Sequence, residues 1–245
     1  MRILNNGTAV IEGDSHISKW VEQEGRLDHD QNMLPFILPY IPLGGTVIDA
    51  GAFIGDHTIA YARAVGETGE VVAIEANPKA FECLQHNMKP FPQVTLVNQA
   101  IGKSGQQGYK IVEHPNAGMA FLDTNGHEGD GPEIVCLDSL LCRLTRIDFI
   151  KIDCEGFEFD ILIGGMGILT QHKPTLLLEI NRSALARRGR SFIEIQQLLA
   201  SLEYDIRNIY AEQPMEGEQF DIICFRKAKF VEQPKQTDHE SSQEA

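Results

Sequence analysis

Thr46-Val-Ile-Asp-Ala-Gly51-Ala-Phe-Ile-Gly55-Asp56 is the stretch on which the fold turns. A short β-branched run meets a glycine-containing turn, and a helical pattern follows with Ile59, Ala62 and Val65 on one face. Downstream, Gly66-Glu-Thr-Gly69 leads into a second strand, Glu70-Val-Val-Ala-Ile-Glu75. Pro78 then stands at a first helical position, where its missing N–H costs nothing. That helix carries Phe81 and Leu84 and ends before Pro90, and Val94-Thr-Leu-Val97 makes a third strand. Strands alternating with helices predict βαβ units around a parallel sheet. The rhythm resumes with strands at 147–152, 175–180, 204–209 and 220–225, and with helices from Phe157 and over 192–202. The last two strands are too close for a crossover helix, so the final one is expected to run antiparallel.

Two regions depart from this rhythm. Residues 102–133 are rich in Gly, Asn and Asp and read as a hairpin-bearing insertion on the sheet's edge, partly mobile, with strand-like pieces near 109–112 and 134–136. Residues 1–44 read as a small helical cap or lid, with a strand at Val10-Ile11 and helices over 16–24 and 31–40. The division expected is therefore a cap at 1–44, an α/β domain at 45–230 and a polar, disordered tail at 231–245.

Composition narrows the function classes. With 245 residues and 42% apolar content the chain has ample material for a core. No stretch reaches the roughly 20 apolar residues of a membrane span, and the best candidate is broken by Pro35, Pro39 and Pro42. Met1-Arg-Ile-Leu runs straight into Asn5-Asn-Gly7, unlike a secretory leader, so a cytoplasmic location is the expectation. Lys and Arg number 21 against 35 Asp and Glu, and the net charge of −14 repels nucleic acid and anionic membranes. Cys83, Cys136, Cys142, Cys154 and Cys224 form no C-x-x-C pair, which argues for reduced thiols.

The turn after the first strand sits where doubly wound sheets bind ligands. A dinucleotide fingerprint needs G-x-G-x-x-G, yet the position two after Gly51 is Phe53, and Asp49 and Asp56 would repel a diphosphate. S-adenosylmethionine, cationic and free of phosphate, suits the turn better; a turn that merely packs helix on strand is the alternative. Glu75 lies 26 residues after Asp49, near the roughly 20-residue offset at which an acid meets ribose hydroxyls. At the third strand's end, Asn98 and Ala100 are candidates for the adenine edge and face.

These residues resemble the class I S-adenosylmethionine-dependent methyltransferases, and more specifically the FkbM-type family, over residues 46–210. The resemblance is carried by Val47-Ile-Asp-Ala-Gly-Ala-Phe-Ile-Gly55, Val72-Ala-Ile-Glu-Ala-Asn-Pro78, Cys136-Leu-Asp-Ser-Leu140, Ile147-Asp-Phe-Ile-Lys-Ile-Asp-Cys-Glu-Gly-Phe-Glu158 and Leu176-Leu-Leu-Glu-Ile-Asn181. It implies a Rossmann-like sheet of seven strands with the last one reversed, and O-methylation of sugar or small-molecule hydroxyls. By position it implies cofactor contacts at Asp49, Gly51, Gly55 and Glu75. Phe53, where the family often has Asn, is a departure expected to alter loop packing.

Methyl transfer from a sulfonium expels a neutral leaving group, so a base for the acceptor hydroxyl is the residue to look for. Asp153 is the first candidate and Glu155 the second, with Glu155 alternatively capping the following helix. Glu179 and Asn181 share a side of the fifth strand and with Asp153 form an oxygen set for Mg²⁺, although the metal-free reading is preferred. His57 is a lesser base candidate against a packing role. Trp20 and Tyr40 are read as core rather than sugar platforms, and Met119 and Phe121 as guesses at an acceptor wall. Arg182, Arg187, Arg188 and Arg190 suggest an anionic acceptor, against a solvated helix face. An NAD-dependent oxidoreductase and a catalytically silent binding module on the same scaffold remain as competitors, with a nucleic-acid methyltransferase behind them.

Overall fold

In a computed structural model, residues 1–29, 31–103, 109–124, 133–210 and 213–226 are described. The expected tail at 231–245 and the middle of the 102–133 insertion lie outside them. The central sheet holds β1 (Thr46–Ala50), β2 (Glu70–Ile74), β3 (Val94–Val97), β4 (Phe149–Ile152), β5 (Thr175–Asn181), β6 (Asp205–Asn208) and β7 (Gln219–Phe225). Their spatial order is 6-7-5-4-1-2-3, with β7 antiparallel to both β5 and β6 and every other pairing parallel. The reversed strand read from the short 209–220 connection is therefore present.

Period-two alternation puts a different core on each face. Ile48, Val72, Ile150, Leu176 and Ile222 meet Ile161, Phe192, Ile195 and Leu199 on one side. Val47, Val71, Phe149, Leu177 and Ile223 meet Tyr61, Val65 and the segment Met33 to Ile41 on the other. The latter half of the N-terminal region is thus built into the main core, and Tyr40 stacks on Phe225 at 5.9 Å. Local sequence sets the helix starts. Asn77 accepts from Lys79 N–H at 3.0 Å ahead of Pro78, and Ser191 with Glu194 forms a capping box.

The insertion carries a hairpin of Lys110–Val112 against Phe121–Asp123. A short parallel bridge joins Ala100–Ile101 to Ile134–Val135. Asp14 ties the hairpin region to the N-terminal segment. Its Oδ1 accepts from the N–H of Ala117 at 2.8 Å and of His16 at 3.2 Å, and its Oδ2 from that of Ser18 at 2.7 Å. Ser15 N–H adds a bond to Pro115 O at 2.9 Å.

Candidate active site

A cavity of about 450 Å³ lies at the carboxyl ends of β1, β2, β4 and β5, where parallel sheets place their ligands. Gly51, Phe53, Asp56, His57, Glu75, Lys151, Asp153, Glu155 and Glu179 line it from the sheet side. His16, Ile17 and His29 come from the N-terminal segment, Ile111 and Asn116 to Leu122 from the hairpin, and Gln219 and Asp221 from β7.

The turn after β1 and the turn after β4 touch. Gly51 has φ +82°, and a Cβ on it would stand 1.8 Å from the carbonyl oxygen of Asp153. No other residue fits there. Phe53 and Glu155, one in each turn, hold left-handed backbone at φ +47° and +51°. Such non-glycine residues gather at ligand sites, where surrounding bonds hold them. For Phe53 the holding bond comes from Glu75, whose Oε2 accepts the Phe53 N–H at 2.9 Å while Oε1 accepts that of Asn77 at 2.7 Å. Burial pushes the half-buried Glu75 carboxyl up to about 7, against these two bonds.

Lys151 is the residue the sequence reading passed over. Register sets it beside Asp49, and its Nζ lies 3.0 Å from Gly51 O, 3.2 Å from Asp153 Oδ2 and 3.6 Å from Asp49 Oδ1. Burial opposes its charge, but Asp153 and Asp49 outweigh that and hold the ammonium well above its ordinary pKa. Asp49 itself is fully buried beneath the turn and also accepts from Thr58 Oγ1 at 2.7 Å, so it braces the turn from below. The available signal was a lysine inside the apolar run Phe149-Ile-Lys-Ile152, since a buried ammonium needs anionic neighbours.

Asp153 and Glu179 share a hydrogen bond. Burial opposes ionisation of Asp153, yet Lys151 and this bond keep it below the usual carboxylate range. Burial first, then the charge of Asp153, holds the Glu179 carboxyl well above its ordinary value, so Glu179 carries the shared proton. Its Oε1 also accepts from Gln219 Nε2 at 2.6 Å. Asn181 does not join them. Its Oδ1 accepts from Ala184 N–H at 3.1 Å and caps the next helix, so the oxygen trio considered for Mg²⁺ is not assembled.

Glu155 does not cap the helix after β4. Nor does any other side chain cap it; Glu158, its first residue, folds back on the turn instead, its Oε1 accepting from the N–H groups of Cys154 at 3.0 Å and Gly156 at 3.1 Å. Burial raises Glu158 to about 7. Glu155 is raised to about 7 as well, by burial and then by Asp153 and Glu158, with Arg187 opposing.

The remaining expectations divide. Met119 and Phe121 line the cavity, as does the buried His57 just ahead of its helix, with its ring 6.1 Å from that of Tyr61. Gly55 lies outside the lining, packed on Met88 and Leu84. At the end of β3 the parity is the reverse of that expected. Asn98 Nδ2 donates to Glu75 O at 2.7 Å and Ala100 is buried, while Gln99 and Ile101 face the cavity. Trp20 is packed edge-on to His29 at 4.7 Å, outside the lining. The arginine cluster is committed elsewhere. Arg188 and Arg190 grip Asp160 at 2.9 and 3.2 Å, and Arg182 donates to Gly217 O at 2.8 Å. Arg187 lies over Phe121 at 4.5 Å and 3.9 Å from Glu155 Oε2, behind the lining. None of the four arginines is in the lining. No helix among the described residues is long and apolar enough to cross a membrane.

Residues 49–206 match the family model described as "Methyltransferase FkbM domain". No curated protein matches. Among solved structures, a methyltransferase FkbM from Methylobacillus flagellatus KT aligns with TM-score 0.50 at 18% identity, over 74% of this chain and 43% of that one. The chain thus spans less than half the length of that relative. A SAM-dependent O-methyltransferase from Thermotoga maritima aligns with TM-score 0.50 at 12% identity, over 86% of this chain and 70% of that one. At these identities the likeness is one of fold.

Proposed function

The chain belongs to the FkbM family of S-adenosylmethionine-dependent methyltransferases, and from that premise we propose that it methylates a hydroxyl group of a saccharide or other small-molecule acceptor in the cavity at the ends of β1, β2, β4 and β5. The observation that carries the cofactor side is the 2.9 Å bond from Phe53 N–H to Glu75. A diphosphate would require that N–H for itself, and it would face Glu75, Asp56 and Asp153 in the same cavity. The residues fit a cation with ribose hydroxyls and disfavour a dinucleotide.

In this proposal Glu75 accepts from the ribose hydroxyls with the lone pairs its two backbone bonds leave unused, and Gly51 gives the ligand close access to the backbone. Ala52 and Phe53 shape the turn, while Asn98 supports Glu75 through its carbonyl. Gln99 and Ile101 take the place at the adenine end first assigned to Asn98 and Ala100. When bound, the cofactor supplies an electrophilic methyl group on a sulfonium. Asp153, held ionised by Lys151 and Glu179, accepts the hydrogen of the acceptor hydroxyl and carries its proton as the ether forms. Fixing the hydroxyl against this carboxylate supplies much of the rate through orientation.

Calorimetric titration separates the readings. S-adenosylhomocysteine is expected to bind and NAD to give no heat; the reverse would return the oxidoreductase. Asp153→Asn, which keeps the shape but not the base, is expected to lower turnover by about 10²–10⁴. Unchanged turnover would remove the base assignment.

A further inference from the structure

With Arg182, Arg188 and Arg190 held by partners of their own, carboxyl groups gather at the acceptor end of the cavity. Asp153, Glu155, Glu179 and Asp221 line it from the turn after β4, from β5 and from β7. Among the described residues of the lining the one lysine, Lys151, is held by Asp49, Asp153 and the Gly51 carbonyl. Glu155 supplies an observation independent of this clustering. Its side chain is 9% exposed, and its Oε2 has no hydrogen-bond partner, the nearest cation being Arg187 at 3.9 Å. A carboxylate oxygen that deep is ordinarily bonded, and its strained backbone keeps it in the lining. Ile111, Met119, Phe121 and Leu122 give the cavity an apolar wall.

We propose that the acceptor is a hydroxylated amine, whose ammonium group is received by Glu155 with Asp221 beside it while its hydroxyl faces Asp153. The inference rests on the methyltransferase reading and names its substrate class. A neutral polyol would satisfy Glu155 as a hydrogen-bond acceptor but bring no charge to offset that of Asp153. Burial, and after it the charge of Asp153, holds Glu155 and Glu179 above their ordinary pKa values, and a cation offsets the second of these. An anion is excluded by the same field.

Three pyranoses of one size, D-glucosamine, D-glucose and D-glucuronate, are titrated by calorimetry into the protein saturated with S-adenosylhomocysteine. Glucosamine is expected to bind at least tenfold more tightly than glucose, and glucuronate not to bind. Glu155→Gln is expected to weaken glucosamine tenfold or more while leaving S-adenosylhomocysteine within twofold, and Asp221→Asn to weaken glucosamine in the same direction. Equal binding of glucose, binding of glucuronate, or no binding of glucosamine overturns the proposal. Loss of S-adenosylhomocysteine affinity in Glu155→Gln would seat the donor's own ammonium there and also overturns it. Failure of the wild-type protein to bind S-adenosylhomocysteine at all would sink the functional reading beneath it, a result distinct from the others.

Discussion

Replacing Lys151 by Met keeps the aliphatic stem and removes only the ammonium that joins Gly51 O, Asp153 and Asp49. The side chain is 6% exposed and Asp49 is fully buried, so solvent does little to screen the loss. Removing one partner of such a buried pair costs about 3–5 kcal/mol, chiefly because the opposite charge is stranded. In a domain of this size each kcal/mol lowers Tm by about 2–4 °C, so a fall of about 6–20 °C is expected. Equilibrium urea unfolding measures the free energy directly, and scanning calorimetry checks the Tm. Asp49→Asn in the Lys151→Met background removes the stranded charge and retains an acceptor for Thr58. The double variant is therefore expected to be more stable than the sum of the singles predicts, by at least about 1 kcal/mol. A loss below about 1 kcal/mol, or strict additivity, would refute the electrostatic account of this turn.

Other expectations concern neighbouring residues. Glu158 is 1% exposed and raised to about 7, so between its unfolded pKa and that value the native state binds more protons than the unfolded. Its contribution is complete below the unfolded pKa and lost as pH rises through about 7, which at 1.36 kcal/mol per unit amounts to about 3–4 kcal/mol. Glu158→Gln should flatten the fall in Tm between pH 5 and pH 8; an unchanged slope would assign that fall to other groups. Glu75→Gln should raise the Kd for S-adenosylhomocysteine about 10–100-fold, the worth of a charged hydrogen bond, and a Kd within twofold of wild type would remove Glu75 from the ribose contact. Gly51→Ala, which drives a methyl into the Asp153 carbonyl, should cost about 2–4 kcal/mol by thermal denaturation, and a neutral result would contradict the contact between the two turns.

How far these features were legible differs from residue to residue. The seven strands and the reversed β7 follow from short β-branched and apolar runs and from connection lengths, both local properties. The turn residues Gly51, Phe53 and Glu75 were legible for the same reason, as chemistry at fixed offsets from strand ends. What escaped depends on pairings between distant segments. Lys151 acquires its meaning only when β4 lies beside β1, and Arg188 and Arg190 when Asp160 is brought under them. Gln99 and Ile101 line the cavity where Asn98 and Ala100 were expected to, a one-residue difference in parity to which a strand end is most exposed because alternation stops there. Glu155 and Glu158 are both acids in one short turn, and only the backbone's course decides which of them folds back on the N–H groups.

Asp14 has a consequence for how acceptor preference can be re-engineered or can diverge. Because one carboxylate holds the amides of His16, Ser18 and Ala117 together, the N-terminal strap and the hairpin are not independent modules. A hairpin transplanted from a relative would arrive without its anchor unless residues 14–18 travel with it, so the two segments, about a hundred positions apart in the chain, are coupled as a single heritable piece.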